Sequence, residues 1–219
     1  MKRTRLKVCC IASVEEALLA IEHGADALGL VGAMPSGPGP IDDELIAEIA
    51  RAVPPPVATF LLTSETGPEA VVAHVQRTGV NTVQLVDDEV GADVWAALRS
   101  EAPAMRIVQV VHVCGRESID YALRAAEHID ALLLDSGNPT ATVPELGGTG
   151  RVHDWAISRE IVERSAVPVF LAGGLSSANV ADAIQNVRPF GIDLCSGVRT
   201  GGKLDAAKLS SLVQIMHEA

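Results

Sequence analysis

Residues 167–198 read VPVFLAGGLSSANVADAIQNVRPFGIDLCSGV. The stretch holds two short apolar runs, at 167–172 and 191–195, with a helical pattern over 178–187 between them. Both runs lead into glycine, Gly173-Gly174 after the first and Gly197 after the second. Runs this short and this apolar suit strands covered on both faces, the situation in a parallel sheet whose crossovers are helices. Glycine at a strand end lets backbone N–H groups approach a ligand, and a following helix N-terminus favours an anion. The stretch therefore predicts two consecutive strand–loop–helix units with a phosphate cradle at their loops.

The same unit repeats upstream. Apolar runs at 6–11, 25–31, 57–62, 81–86, 106–111 and 131–135 alternate with helical patterns at 14–23, 42–52, 68–77, 90–100, 117–127 and 155–164. Gly24 and Gly79 read as C-terminal helix stops. A last helical pattern runs over 206–217. Eight such units predict an α/β fold, a single (β/α)8 TIM barrel occupying residues 1–219 as one domain. An open doubly wound sheet is the competing arrangement; the even spacing and the lack of an early glycine fingerprint count against it.

Composition narrows the function classes. The chain is 48% hydrophobic but only 3% aromatic, so its core is built from Ala, Val, Ile and Leu. A net charge of −11 argues against nucleic acid or an anionic membrane as partner. A phosphorylated small molecule remains compatible, since local donors outweigh a diffuse charge. The four cysteines have neither metal spacing nor the framework of a small secreted fold, which predicts reduced thiols and a cytoplasmic location. Glu15 and Glu16 interrupt what would be the apolar part of a signal peptide, and no apolar run reaches membrane-spanning length. No carboxylate/His cluster has ligand spacing, so no metal is expected. Monomer and homodimer both fit.

In a barrel of this kind the active site lies at the C-terminal strand ends, with phosphate commonly after strands seven and eight. The candidates at those ends are Cys9, Cys10, Gln84, Asp87, Asp88, Gln109, His112, Asp135 and Asp193. A Cys9 thiolate could remove a proton from carbon, and an Asp135 carboxylic acid could protonate a leaving oxygen. Each has a plainer reading: free cysteine is commonly a small buried hydrophobe, and an aspartate closing an apolar run is commonly a loop cap. Period-2 alternation predicts that one of Cys9 and Cys10 faces the barrel interior and the other the helices. The histidines read as surface or supporting residues. Gly147-Gly148-Thr149-Gly150, followed by Asp154-Trp155, reads as a loop covering the substrate.

Taken together these residues resemble the phosphoribosylanthranilate isomerase family. The resemblance spans nearly the whole chain: Lys7-Val8-Cys9, residues 15–30, Val83-Gln84-Leu85, Leu133-Leu134-Asp135-Ser136, the 147–150 glycines with Asp154-Trp155, residues 171–175 with Asn179-Val180, and residues 188–198. It implies a cofactor-free Amadori rearrangement of an aldosylamine to an amino-ketose in tryptophan biosynthesis. Asp135 would be the general acid at the ribose ring oxygen and Cys9 the general base at the adjacent carbon. Gly148, Gly173, Gly174, Ser196 and Gly197 would hold the phosphate, and Gln84 and Gln109 would border the substrate. The departures gather at the other end of the substrate. The family's Cys-Gly is Cys9-Cys10 here, and the loop at 34–40, MPSGPGP, lacks the family's Arg. Gln84-Leu85-Val86-Asp87 replaces Gln-Leu-His-Gly, and Gln109 stands where a Lys is usual. Three readings stay open: that isomerase, a paralogue acting on another phosphosugar or N-glycosyl phosphate, and a phosphosugar-binding barrel without catalysis.

Overall fold

A computed structural model describes residues 3–87, 90–136 and 153–219. Eight parallel strands close on one another in sequence order: β1 (Arg5–Val8), β2 (Ala27–Val31), β3 (Ala58–Thr63), β4 (Thr82–Leu85), β5 (Arg106–His112), β6 (Ala131–Asp135), β7 (Val169–Leu171) and β8 (Gly191–Leu194). Pairing of β1 with β8 puts Lys7 opposite Asp193 and Val8 opposite Leu194, which closes the barrel and excludes an open sheet. Helices follow the strands: α1 (Val14–Glu22), α2 (Asp43–Ala52), α3 (Pro68–Thr78), α4 (Ala92–Glu101), α5 (Glu117–Ala125), α6 (Trp155–Arg164), α7 (Val180–Val187) and α8 (Ala206–Glu218). Among the described residues no helix is long and apolar enough to cross a membrane.

Local chemistry sets the helix starts. Ser13 caps α1 by accepting from the Glu16 N–H, while the Glu16 carboxylate reaches back past the cap to accept from the Ala12 N–H. Asp42 caps α2 by accepting from the Leu45 N–H, and Asp205 caps α8 by accepting from the Ala207 and Lys208 N–H groups.

Strand alternation sorts the core into two layers. Leu6, Val8, Leu28, Leu30, Ile107 and Val111 face outward into the large apolar layer under the helices. Cys9, Ala27, Phe60, Val108, Leu133 and Phe170 face the barrel interior. Phe60 and Phe170 meet edge to face, with ring centroids 5.9 Å apart. Gly191 has to be small here: a Cβ on it would come within 2.7 Å of the Phe170 ring.

Two elements depart from the sequence reading. β1 ends at Val8 rather than running through residue 11, because Cys10 takes φ 61, outside the strand region. After β8 comes a one-turn 3-10 helix, Ser196–Val198, and then a small antiparallel ribbon of β9 (Arg199–Thr200) and β10 (Lys203–Leu204). Its turn, Gly201-Gly202, has φ 57 and 80, the two positive values that suit a tight hairpin.

Candidate active site

The C-terminal strand ends surround a pocket. Cys9 and Cys10 enter it from the end of β1, Gln84 from β4, Asp135 from β6, and Asp193, Cys195 and Ser196 from the end of β8 and beyond. Gly173 and Gly174 border it after β7, with φ 86 and 62 that glycine tolerates without strain. Gly197 packs behind them: a Cβ there would sit 2.2 Å from the Leu175 carbonyl oxygen, so the loops after β7 and β8 touch because this residue has no side chain. Gly148, also expected at the phosphate, lies outside the described residues, as do Asp88 and the 147–150 glycines.

Cys9 and Asp135 thus line one pocket. The Asp135 carboxylate is buried and accepts from the Ser136 N–H at 2.7 Å. Cys9 is likewise buried, and Gly29 on the neighbouring strand makes room for it. A Cβ on Gly29 would lie 2.7 Å from the Cys9 sulfur and 3.1 Å from Lys7 Nζ.

The predicted alternation of Cys9 and Cys10 does not hold, since both side chains reach the pocket. Alternation is a property of extended backbone, and the left-handed φ of Cys10 breaks it two residues past the strand. Gly39 closes on Cys10 from the loop after β2, where a Cβ would approach Cys10 Cβ to 2.6 Å. That loop contributes Met34, Ser36, Gly37 and Pro38 to the pocket.

Gln109 corrects a second expectation. It lies on the outward row of β5 with Ile107 and Val111, away from the pocket. Its amide donates to the Leu85 and Asp87 carbonyls, and its oxygen accepts from Trp95 Nε1 at 3.4 Å. It ties β4 and β5 to α4. The histidines are also more deeply placed than expected: His74 is buried between Thr63 Oγ1 and Asp43, each 3.0 Å away, and His112 is buried in β5.

Beneath Cys9 lies a feature that went unread as a pair in the sequence. Lys7 is fully buried, and its ammonium donates to Asp193 Oδ2 at 2.9 Å. Burial alone would lower the Lys7 pKa, but the Asp193 carboxylate reverses this and holds it above the ordinary lysine value. The Phe60 ring face adds support 5.4 Å from Nζ. The other Asp193 oxygen, Oδ1, and Gln84 Oε1 are buried without a hydrogen-bond partner among the described residues. Both residues line the pocket, so a ligand hydroxyl or amine is the fitting donor for each. The signal in the sequence was a lysine inside an otherwise apolar strand, which needs a buried counter-charge.

Arg199 fastens the outer wall. Its guanidinium donates to both Glu16 carboxylate oxygens and to the Cys9 and Cys10 carbonyls. Cys10 and Cys195, at the ends of adjacent strands, bring their sulfurs to 2.7 Å as free thiols.

Known proteins share this architecture along its whole length. A family model described as N-(5'phosphoribosyl)anthranilate (PRA) isomerase matches residues 6–215. An N-(5'-phosphoribosyl)anthranilate isomerase 2 of Methanosarcina mazei is 39% identical over 212 residues, covering 95% of this chain and 92% of that protein. The phosphoribosyl anthranilate isomerase structure from Thermotoga maritima superposes with a TM-score of 0.80 at 30% identity, covering 99% of this chain and all of that one. A further isomerase structure, determined with reduced 1-(o-carboxyphenylamino)-1-deoxyribulose 5-phosphate, superposes at a TM-score of 0.78 with 28% identity and 99% coverage of this chain. On the strength of a match that leaves only the chain ends outside it, this protein belongs to the N-(5'-phosphoribosyl)anthranilate isomerase family.

Proposed function

We propose that this chain catalyses the Amadori rearrangement of N-(5'-phosphoribosyl)anthranilate to the corresponding 1-(o-carboxyphenylamino)-1-deoxyribulose 5-phosphate. The observation that carries the proposal is the meeting of Cys9, Asp135, Gly173, Gly174 and Ser196 around a single pocket. Asp135, protonated, gives its proton to the ribose ring oxygen, and the ring opens to an iminium. Cys9, as thiolate, takes the proton from the neighbouring carbon to leave an enolamine, which tautomerises to the amino-ketose. The sequence moves protons only and balances without a metal or a redox group. Gly173, Gly174, Ser196 and Gly197 receive the phosphate through backbone N–H groups, and Gly148 joins them in this scheme. Gln84 Oε1 and Asp193 Oδ1 accept from ribose hydroxyls or the glycosidic amine.

The test uses freshly generated phosphoribosylanthranilate, whose fluorescence falls on conversion. The wild-type protein is expected to quench it. Cys9→Ala and Asp135→Asn should each lower kcat by about 10²–10⁴-fold, the usual worth of a positioned acid or base. Turnover within threefold of wild type in either variant would remove that residue from the scheme.

A second reading rests on the loop after β2, which offers the pocket Met34, Ser36, Gly37 and Pro38 in place of the family's Arg. An N-glycosyl phosphate with an uncharged aglycone is the substrate it favours. Turnover of such a compound, with none of phosphoribosylanthranilate, would select it.

A further inference from the structure

We propose that Cys10 and Cys195 are a dithiol modification site that oxidises reversibly to a disulfide across the mouth of the pocket, leaving Cys9 reduced. Three observations converge on this pair. The sulfurs are in contact, 2.7 Å apart, just past the ends of two barrel strands that lie side by side. Both residues line the pocket, and Cys195 directly precedes Ser196 of the proposed phosphate loop. Cys10 also occupies a left-handed backbone position, φ 61, which strains any residue that carries a Cβ. A glycine would sit there without strain, so the side chain is present despite the backbone rather than because of it.

The surroundings divide the chemistry between the two sulfurs. Cys195 is partly accessible and Cys10 is buried. Contact with the Cys10 thiol, helped by the Arg199 guanidinium, holds the Cys195 thiol below its ordinary pKa against the opposing effect of burial. The same contact pushes the Cys10 thiol upward, as do Cys9 and burial. Cys195 is therefore the thiolate that meets an oxidant, and Cys10 the thiol that resolves it. With hydrogen peroxide, the Cys195 thiolate attacks one peroxide oxygen, the O–O bond breaks, and a sulfenic acid and hydroxide result. Cys10 sulfur then attacks Cys195 sulfur, the sulfenic hydroxyl leaves with the Cys10 proton as water, and the hydroxide of the first step takes up the proton that Cys195 gave to solvent on ionising. Two thiols and one peroxide become one disulfide and two waters.

The disulfide ties the end of β1 to the residue before Ser196. Cys10 also touches the Pro38 carbonyl, at 3.6 Å, so the tie reaches the loop after β2 as well. A displacement near 1 Å at a reacting centre can lower turnover on the order of a hundredfold. The functional consequence rests on the isomerase reading; the thiol chemistry does not.

The experiment treats the full-length protein at neutral pH with a few equivalents of hydrogen peroxide, then denatures it in N-ethylmaleimide. Intact mass should show two maleimide adducts in place of four, and peptide mapping should join the Cys10 peptide to that of Cys195. Dithiothreitol should restore four adducts. Cys10→Gly should keep four-minus-one adducts before treatment and form no cross-link, with Cys195 going on to sulfinic acid. Retention of all four adducts in the treated wild type, or a cross-link that includes Cys9, would overturn the proposal. In parallel, isomerase turnover of the wild type should fall on the order of a hundredfold and return with dithiothreitol, while any loss in treated Cys10→Gly should not return, because dithiothreitol does not reduce a sulfinic acid. A disulfide that forms without changing turnover would overturn the control at the pocket mouth. Absence of turnover in the reduced wild type would sink the isomerase reading, with the adduct count still deciding the thiol chemistry.

Discussion

Lys7 shows how a single residue can set the cost of an entire pocket floor. An ammonium with no exposure to water is tolerated because Asp193 meets it at 2.9 Å on the facing strand. Removing one partner of such a pair leaves the other charge buried and alone. Lys7→Met is therefore expected to cost about 3–5 kcal/mol in urea denaturation, and the Lys7→Met/Asp193→Leu double variant to recover most of that loss. A single-variant loss below about 1 kcal/mol would show that the pair is not desolvated as the geometry requires. The pairing was half legible beforehand. A lysine two residues before Cys9 shares its face of the strand by alternation, and Asp193 shares the interior row of β8. What no local pattern supplies is the register of β1 against β8, which brings together residues 186 positions apart.

Elements carry the next level of control, and the ribbon after β8 is the clearest case. It was not read from the sequence because each of its strands is two residues long, below the reach of any periodicity. Its weight comes from Arg199, which joins it to α1 through Glu16 and to the pocket wall through the Cys9 and Cys10 carbonyls. Glu16 also accepts from the Leu204 and Ala12 N–H groups, so one carboxylate holds the start of α1, the end of β1 and β10 together. Glu16→Ala should destabilise the protein by about 2–3 kcal/mol, since it strips charged hydrogen bonds from a largely buried guanidinium. Glu16→Gln keeps an acceptor and should retain part of the loss. Thermal and urea denaturation of the two variants check this; a change within about 0.5 kcal/mol for Glu16→Ala would mean that Arg199 is held by its carbonyl partners alone. The misassigned face of Gln109 has a related cause. Both rows of β5 are apolar, Ile107 and Val111 outward, Val108 and Val110 inward, so sequence gives alternation without saying which row is inside.

At the scale of the whole molecule, protons link these sites to stability, and two pH windows separate. His153 contacts Ser158 Oγ at 2.7 Å through Nε2, while its buried Nδ1 has no partner among the described residues. Burial pushes its pKa down from 6.5 to about 4, with nearby Asp154 opposing the shift. The unfolded chain binds this proton near pH 6.5 and the folded chain only near 4, so the unfolded state holds more protons in between. Stability should therefore fall as the pH drops from about 6.5 to about 4, by up to about 3 kcal/mol, and this contribution should then level off. The carboxylates act lower. Burial disfavours ionisation at Glu16, Asp43 and Asp130, but arginine partners outweigh it, joined by backbone donors at Glu16 and Asp130 and by His74 at Asp43, and all three sit below their ordinary values of 4.5 or 3.8. Their stabilisation is complete above those ordinary values and is lost as the pH falls through the depressed ones. Urea denaturation across pH 2–8 should thus give a curve with an upper limb from the histidine and a lower limb from the carboxylates. His153→Gln can keep a hydrogen bond to Ser158 and cannot titrate, so it should flatten the upper limb and leave the lower one in place. An upper limb of unchanged slope in that variant would assign the neutral-range pH dependence to another group, and with it would go the view that the start of α6 is what mild acid loosens first.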